Sequence, residues 1–137
     1  MNETKDYTQW AKEIFQSDNF ATKVTGVEIE KVDKHYAICK MKIEDKHYNA
    51  RNLVMGGAIF TLADLTFAVA ATSGEMKVDV VTVSSSINYI NRAKGDTLFA
   101  EALCVKDGRT ICVYDVMIKD NLGNKIAKAV ITGMKTL

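Results

Sequence analysis

The spacing of apolar residues changes along the chain, and the changes divide it into elements. Between Tyr7 and Phe15, the apolar Trp10, Ala11, Ile14 and Phe15 fall at i, i+1, i+4 and i+5, the pattern of an amphipathic helix laying one stripe on a core. From Lys23 onward β-branched residues become frequent. The runs VTGVEIEKV and YAICKMKI flank the polar Asp33-Lys34-His35, which predicts a hairpin. In the second run Ala37, Cys39, Met41 and Ile43 alternate with larger or charged neighbours, as in a strand with one face inward. Residues 47–54 read as an irregular connector. The stretch VMGGAIFTLADLTFAVAAT, residues 54–72, is apolar almost throughout. It predicts a helix over 58–73, enclosed on all sides, with Gly74 as a left-handed cap. VDVVTVSSSINYINRA, TLFAEALCVK, RTICVYDVMIKD and KIAKAVITGMKTL then read as strands, separated by turns at Lys94-Gly95-Asp96, Asp107-Gly108 and residues 121–124.

Helix, two strands, buried helix and a run of antiparallel strands is the order of an α+β fold rather than of alternating βαβ units. The expected architecture is a single domain over residues 1–137, in which five or six antiparallel strands curve around one long central helix and an N-terminal helix lies to the side. A helix apolar on every side needs cover beyond one sheet, and a second subunit would supply it.

Composition narrows the possibilities. The 137 residues are 47% hydrophobic and 26% charged, which is ordinary globular usage. A net charge of +1 offers no basic stripe for a polyanion, so no nucleic-acid partner is expected. Cys39, Cys104 and Cys112 are odd in number and without C-x-x-C spacing, so neither a disulfide framework nor a metal site is expected. With no basic stretch followed by an apolar one in MNETKDYTQW, the expected location is the cytoplasm. Residues 53–71 are long enough to cross a bilayer, but they carry the Gly56-Gly57 pair and a central carboxylate that costs about 2.5–3.5 kcal/mol to insert. They read as a core helix, and no membrane partner is expected.

That carboxylate is Asp64. Among Ile59, Phe60, Leu62, Ala63, Leu65, Phe67 and Val69 it must be paired or hydrogen-bonded to remain an anion. One reading is a purely structural bond to an amide or hydroxyl, for example on the strand after Gly74. The other is a general base or nucleophile with a pKa raised by burial. Gly56 and Gly57 stand where the first N–H groups of the helix lack partners, and without a Cβ they let a ligand approach the backbone. They are either a tight turn into the helix or an oxyanion site. Seven residues separate Gly57 from Asp64, roughly 10 Å along one axis, too far for both to serve one carbonyl. Two antiparallel copies of the helix about a two-fold axis would bring Asp64 of one to Gly57 of the other, giving a catalytic homodimer.

The residues resemble the hot-dog fold acyl-CoA thioesterases, in particular the phenylacetyl-CoA thioesterase type. The likeness lies in Asn49 followed six residues on by a triplet ending in Gly56-Gly57, in AIFTLADLTFAVA, in INYINRAKGDTLFAEA and in KDGRTICVYDV, and it covers nearly the whole chain. It implies a hot-dog fold, an acyl-CoA substrate with no cofactor beyond the coenzyme A that is part of it, and a homodimer or dimer of dimers. It makes Asp64 the carboxylate that activates water or attacks the thioester, Gly57 the oxyanion donor, Asn49 a group orienting the carbonyl or water, and Thr82 a water-orienting hydroxyl, with Ser84 the fallback two residues on. Gly56 and Met55 would line the substrate site. Met55 stands where the family has histidine, and a thioether has no proton to give. A thiol leaving group, with a pKa near 8.5, can depart without an acid. Among the basic residues in predicted turns, Arg51, Arg92, Lys94, Lys106 and Arg109 could meet the coenzyme A phosphates. Trp10, Phe60, Phe67 and Tyr89 could line an acyl pocket or simply build the core, and His35 and His47 are expected at the surface. The expected activity is hydrolysis of a medium-chain or aromatic acyl-CoA. The alternatives are a non-catalytic acyl-CoA binder and a hot-dog dehydratase or hydratase.

Overall fold

A computed structural model describes residues 6–76 and 78–136. Helix α1, Tyr7–Phe15, is capped by the Asp6 carboxylate, which accepts from Gln9 N at 2.9 Å. Its docked stripe is Tyr7, Trp10, Ala11 and Phe15, whereas Ile14 is 53% exposed. The helix is therefore turned slightly from the expected stripe, with its smallest residue, Ala11, at the contact. Thr8 Oγ1 fixes that angle, accepting from Val32 N at 2.9 Å and donating to Val32 O at 3.3 Å.

Strands β1, Val27–Asp33, and β2, Tyr36–Lys42, form the expected hairpin. Four more follow the central helix: β3, Asp79–Tyr89; β4, Thr97–Asp107; β5, Ile111–Asp120; and β6, Lys125–Thr136. All pair antiparallel in one six-stranded sheet of order β1-β2-β4-β5-β6-β3. The strand that follows the helix thus runs to the far edge, and β1 and β3 are the two free edges.

Helix α2, Gly56–Gly74, lies across the inner face. That face is lined by Ala37, Ala100, Ala102 and Ala129, all buried, whose small side chains leave room for the helix's large ones. Ile59, Leu62, Leu65, Phe67 and Val69 are buried there, at about 1.5–3 kcal/mol each. The helix is long and apolar enough to cross a membrane, but 61% of the apolar window is buried inside the protein. It begins two residues before the expected start. Gly74 is its last helical residue and is absent from the positive-φ positions, so it is no left-handed cap. It is small because the His35 ring occupies the space of a Cβ.

Two devices set the rest. Gly133 on β6 lets Phe67 and β3 approach together: a Cβ there would stand 2.6 Å from Phe67 Cζ and 2.7 Å from Val80 Cγ1. Asp120, almost wholly buried, accepts from the backbone N–H groups of Lys94, Gly95, Leu122 and Asn124 and from Asn124 Nδ2, tying the loop after β3 to the β5–β6 turn. Burial alone would raise its pKa, but these bonds outweigh burial and hold it well below the ordinary 3.8.

Gly133→Ala should destabilise the fold by about 1–3 kcal/mol through overpacking, read as a lower urea midpoint. A depressed carboxylate stabilises the fold above its unfolded pKa and loses that contribution as pH falls. The Tm of the wild type should therefore drop as pH falls through 3.8 and below, whereas Asp120→Asn should be less stable at neutral pH and show a shallower acid limb.

Candidate active site

The sheet covers α2 on most sides but leaves one stripe, Gly57, Thr61, Asp64 and Ala68, exposed or half-buried. The spacing of four, three and four residues is that of one helix face. Asp64 lies in its middle, and Thr82 Oγ1 donates to Asp64 Oδ1 at 3.0 Å. Among the described residues Oδ2 receives no hydrogen bond and no side-chain oxygen is left both buried and unpartnered, so Oδ2 opens to solvent. Burial raises the Asp64 pKa above 3.8, the Thr82 bond pulls it down and the charge of Asp18 pushes it up. The hydroxyl that a structural reading asks for is present, and half of the carboxylate is still free to work.

At the head of the stripe, Met55 O accepts from both Ala58 N and Ile59 N, and Gly57 N–H has no partner among the described residues. A Cβ on Gly57 would meet only Met55 Cε at an ordinary 3.7 Å, so the chain itself does not require glycine there. Gly56 differs, because a Cβ there would lie 3.0 Å from Tyr89 Cζ.

The other sequence-derived residues divide. Asn49 spends its side-chain oxygen on Arg51 N (2.9 Å) and Leu53 N (3.1 Å), so it shapes the connector, and only its amide N–H groups remain for a ligand. Met55 is 56% exposed beside Gly57. With Phe20, Val24, Gly57 and Thr61 it lines a mainly apolar cavity of about 260 Å³. Phe20 and Val24 come from a π-helical turn, Phe20–Val24, which lacks the periodicity that would mark it. Arg92 and Gly56 line an adjoining cavity of about 380 Å³ with Leu53, Ile59 and Tyr89. Lys94 is in the same loop, held by Asp120.

One substrate-site expectation is corrected. Ser84 cannot replace Thr82, because a bulge at Val83 breaks the alternation. Thr82 pairs with buried Gly133 on the inner face, and Ser84 pairs with Thr132 on the outer one. Arg109 lies in the β4–β5 turn at the opposite end of α2, next to Asp107, which meets His35 beside Gly74. Within one chain it is not brought to Gly57.

The histidines are not surface residues. His35, half-buried at φ 58°, has Nδ1 3.0 Å from the Tyr114 hydroxyl and its backbone N on Ser73 Oγ. His47 is 3% exposed, with Nδ1 accepting from Glu44 N at 2.9 Å and Nε2 donating to Thr25 O at 2.6 Å, and its own carbonyl accepts from Met55 N at 2.7 Å. It braces the approach to the helix with both ring nitrogens engaged. The spacing of Glu44 and His47, three apart around a short turn, was the available signal. Phe67 stacks edge-to-face on Tyr114 in the core and Trp10 packs on Phe15, so neither lines the cavities.

Comparison with known proteins agrees with this arrangement. The thioesterase superfamily profile matches residues 52–127, more than half the chain. A putative esterase of Archaeoglobus fulgidus is 32% identical over 127 residues, 91% of this chain and 76% of that one. The acyl-coenzyme A thioesterase PaaI of Escherichia coli is 29% identical over 120 residues, 87% and 84% of the two chains, and the PaaI structure superposes with a TM-score of 0.88 over 96% of this chain and 94% of its own. A hypothetical thioesterase of Streptococcus pneumoniae, solved with coenzyme A, is 32% identical at a TM-score of 0.81 over 89% of this chain and 96% of that one. The profile match over more than half of the chain places it in the thioesterase superfamily, and its sheet wrapped around one long helix is the hot-dog fold of the solved relatives.

Proposed function

We propose that the protein is an acyl-CoA thioesterase acting as a homodimer on medium-chain or aromatic acyl groups in the reducing cytoplasm. The observation that carries this reading is the uncovered stripe of α2, on which an unpartnered Gly57 N–H and a half-free Asp64 carboxylate stand two turns apart. Neither group completes a site alone. A second copy packed antiparallel on that stripe would make two sites, each with Gly57 from one chain and Asp64 from the other. The free edge of β3, on which Val81 and Val83 are exposed, supports the same association. All three cysteines are unpaired, as suits a reducing compartment.

In the proposed reaction the thioester oxygen accepts from Gly57 N–H, and Asp64, oriented by Thr82, takes a proton from water as the water oxygen bonds to the carbonyl carbon. The oxyanion collapses, the C–S bond breaks, and coenzyme A leaves as thiolate and takes up that proton. Met55 has no part in the proton transfer. With Phe20 and Val24 it offers the acyl group an apolar slot, and the slot's 260 Å³ falls below the roughly 300–1,000 Å³ of a whole-ligand site, so it suits an acyl portion alone. Arg92 and Lys94 lie at the same end for the coenzyme's phosphates. In an antiparallel pair the Arg109 end of the second copy extends past Gly57 on that side.

Met55 in place of a protic residue favours one competing reading, a binder that does not turn over. A dehydratase or hydratase would need a free imidazole at the stripe; both nitrogens of His47 are engaged, and His35 lies against Gly74 at the far end of α2.

Purified protein should release thiol from members of a panel running from acetyl- through decanoyl- to phenylacetyl- and benzoyl-CoA, followed with a thiol reagent. Binding of every ester with no release would establish the binder instead. Asp64→Asn should lower kcat by about 10²- to 10⁴-fold with a Tm equal to or above wild type, since a partly desolvated carboxylate is replaced by a neutral group. A loss under tenfold would remove Asp64 as the base. Thr82→Val deletes the bond that holds the Asp64 pKa down, so the acid limb of the pH–kcat profile should move to higher pH.

A further inference from the structure

The geometry points to Tyr89 as a positioning residue for the oxyanion donor, acting through the Gly56–Gly57 peptide. Tyr89 is the last residue of β3, and its hydroxyl donates to Gly56 O at 2.9 Å. That oxygen and the N–H of Gly57 belong to one resonant peptide unit. A donor on the oxygen draws electron density toward it, and the N–H at the other end of the unit becomes more polar and a stronger donor. A carbonyl has two lone pairs, so Gly56 O can take the hydroxyl and still serve the first turn of α2.

The same contact fixes direction. The end of β3 is anchored from behind, with Ile90 N donating to Ile126 O at 2.7 Å and Asn91 Nδ2 to Lys125 O at 3.0 Å. The phenol ring lies so close over the helix start that a Cβ on Gly56 would stand 3.0–3.3 Å from three of its atoms. Gly56 is thus glycine to admit the ring, and the ring holds the peptide plane that aims Gly57 N–H off the head of the stripe. The pair has two separate duties: Gly56 accommodates Tyr89, and Gly57 leaves its N–H bare. The effect on rate rests on the thioesterase reading, whereas the effect on the peptide does not.

The test is Tyr89→Phe, which keeps the ring and deletes the hydroxyl, examined in protein labelled with ¹⁵N-glycine and in thiol-release kinetics on the best acyl-CoA. The Gly57 amide resonance should move upfield in ¹⁵N while those of Gly74 and Gly108, at the other end of α2, stay in place. The value of kcat should fall roughly 3- to 10-fold, the worth of one hydrogen bond, with KM nearly constant. Gly56→Ala, which displaces the ring, should give the same rate loss, and the double variant should lose little more than either alone. An unmoved Gly57 resonance, an unchanged kcat, or a loss confined to KM would overturn the assignment. If the wild type itself hydrolyses no ester, the thioesterase reading fails, and the Gly57 resonance alone decides whether Tyr89 polarises the peptide.

Discussion

Enclosure of α2 is the constraint on which the other features depend. A nineteen-residue helix with this much apolar surface must be kept from water, and one curved sheet can wrap only part of a cylinder. The alanine-lined inner face takes the large side chains, and Gly133 brings β3 close enough to complete that side. What remains uncovered is a single stripe, and the chemistry sits there. Asp64 survives in an apolar helix because it lies on the seam between core and exterior, where one oxygen is satisfied internally and the other faces out.

The chain reads well wherever structure follows from local periodicity. Both helices, the first hairpin and the later strands were legible, as was the significance of an acid amid apolar neighbours. The order of the strands was not, because it depends on which distant segments pair, and nothing near β3 announces that it will cross to β6. The bulge at Val83 is of the same kind. Period-two alternation placed Thr82 and Ser84 on one face, and a single extra residue, visible only in the register with β6, put them on opposite ones.

The glycines and histidines show another limit. Gly74 looked like a cap and proved to be a contact with His35, from a turn thirty-nine positions earlier. His47 looked like a surface residue and proved to be a buried brace, because its partners, Thr25 O and Glu44 N, are backbone groups that no composition reveals. Tyr89 was visible as an aromatic of uncertain use. Only its approach to Gly56 O shows what its hydroxyl does.

The free edge of β3 also bears on how the chain behaves before it finds a partner. Eleven residues of strand with one open row of N–H and C=O groups form a template for any extended segment, and Val81 and Val83 add apolar surface to it. The bulge twists this edge and the run Ser84–Ser86 makes half of it hydrophilic, which limits misuse without preventing it. Association through this edge would therefore serve solubility as well as chemistry. An isolated chain would be both incomplete and adhesive, so correct pairing and aggregation would compete for the same edge.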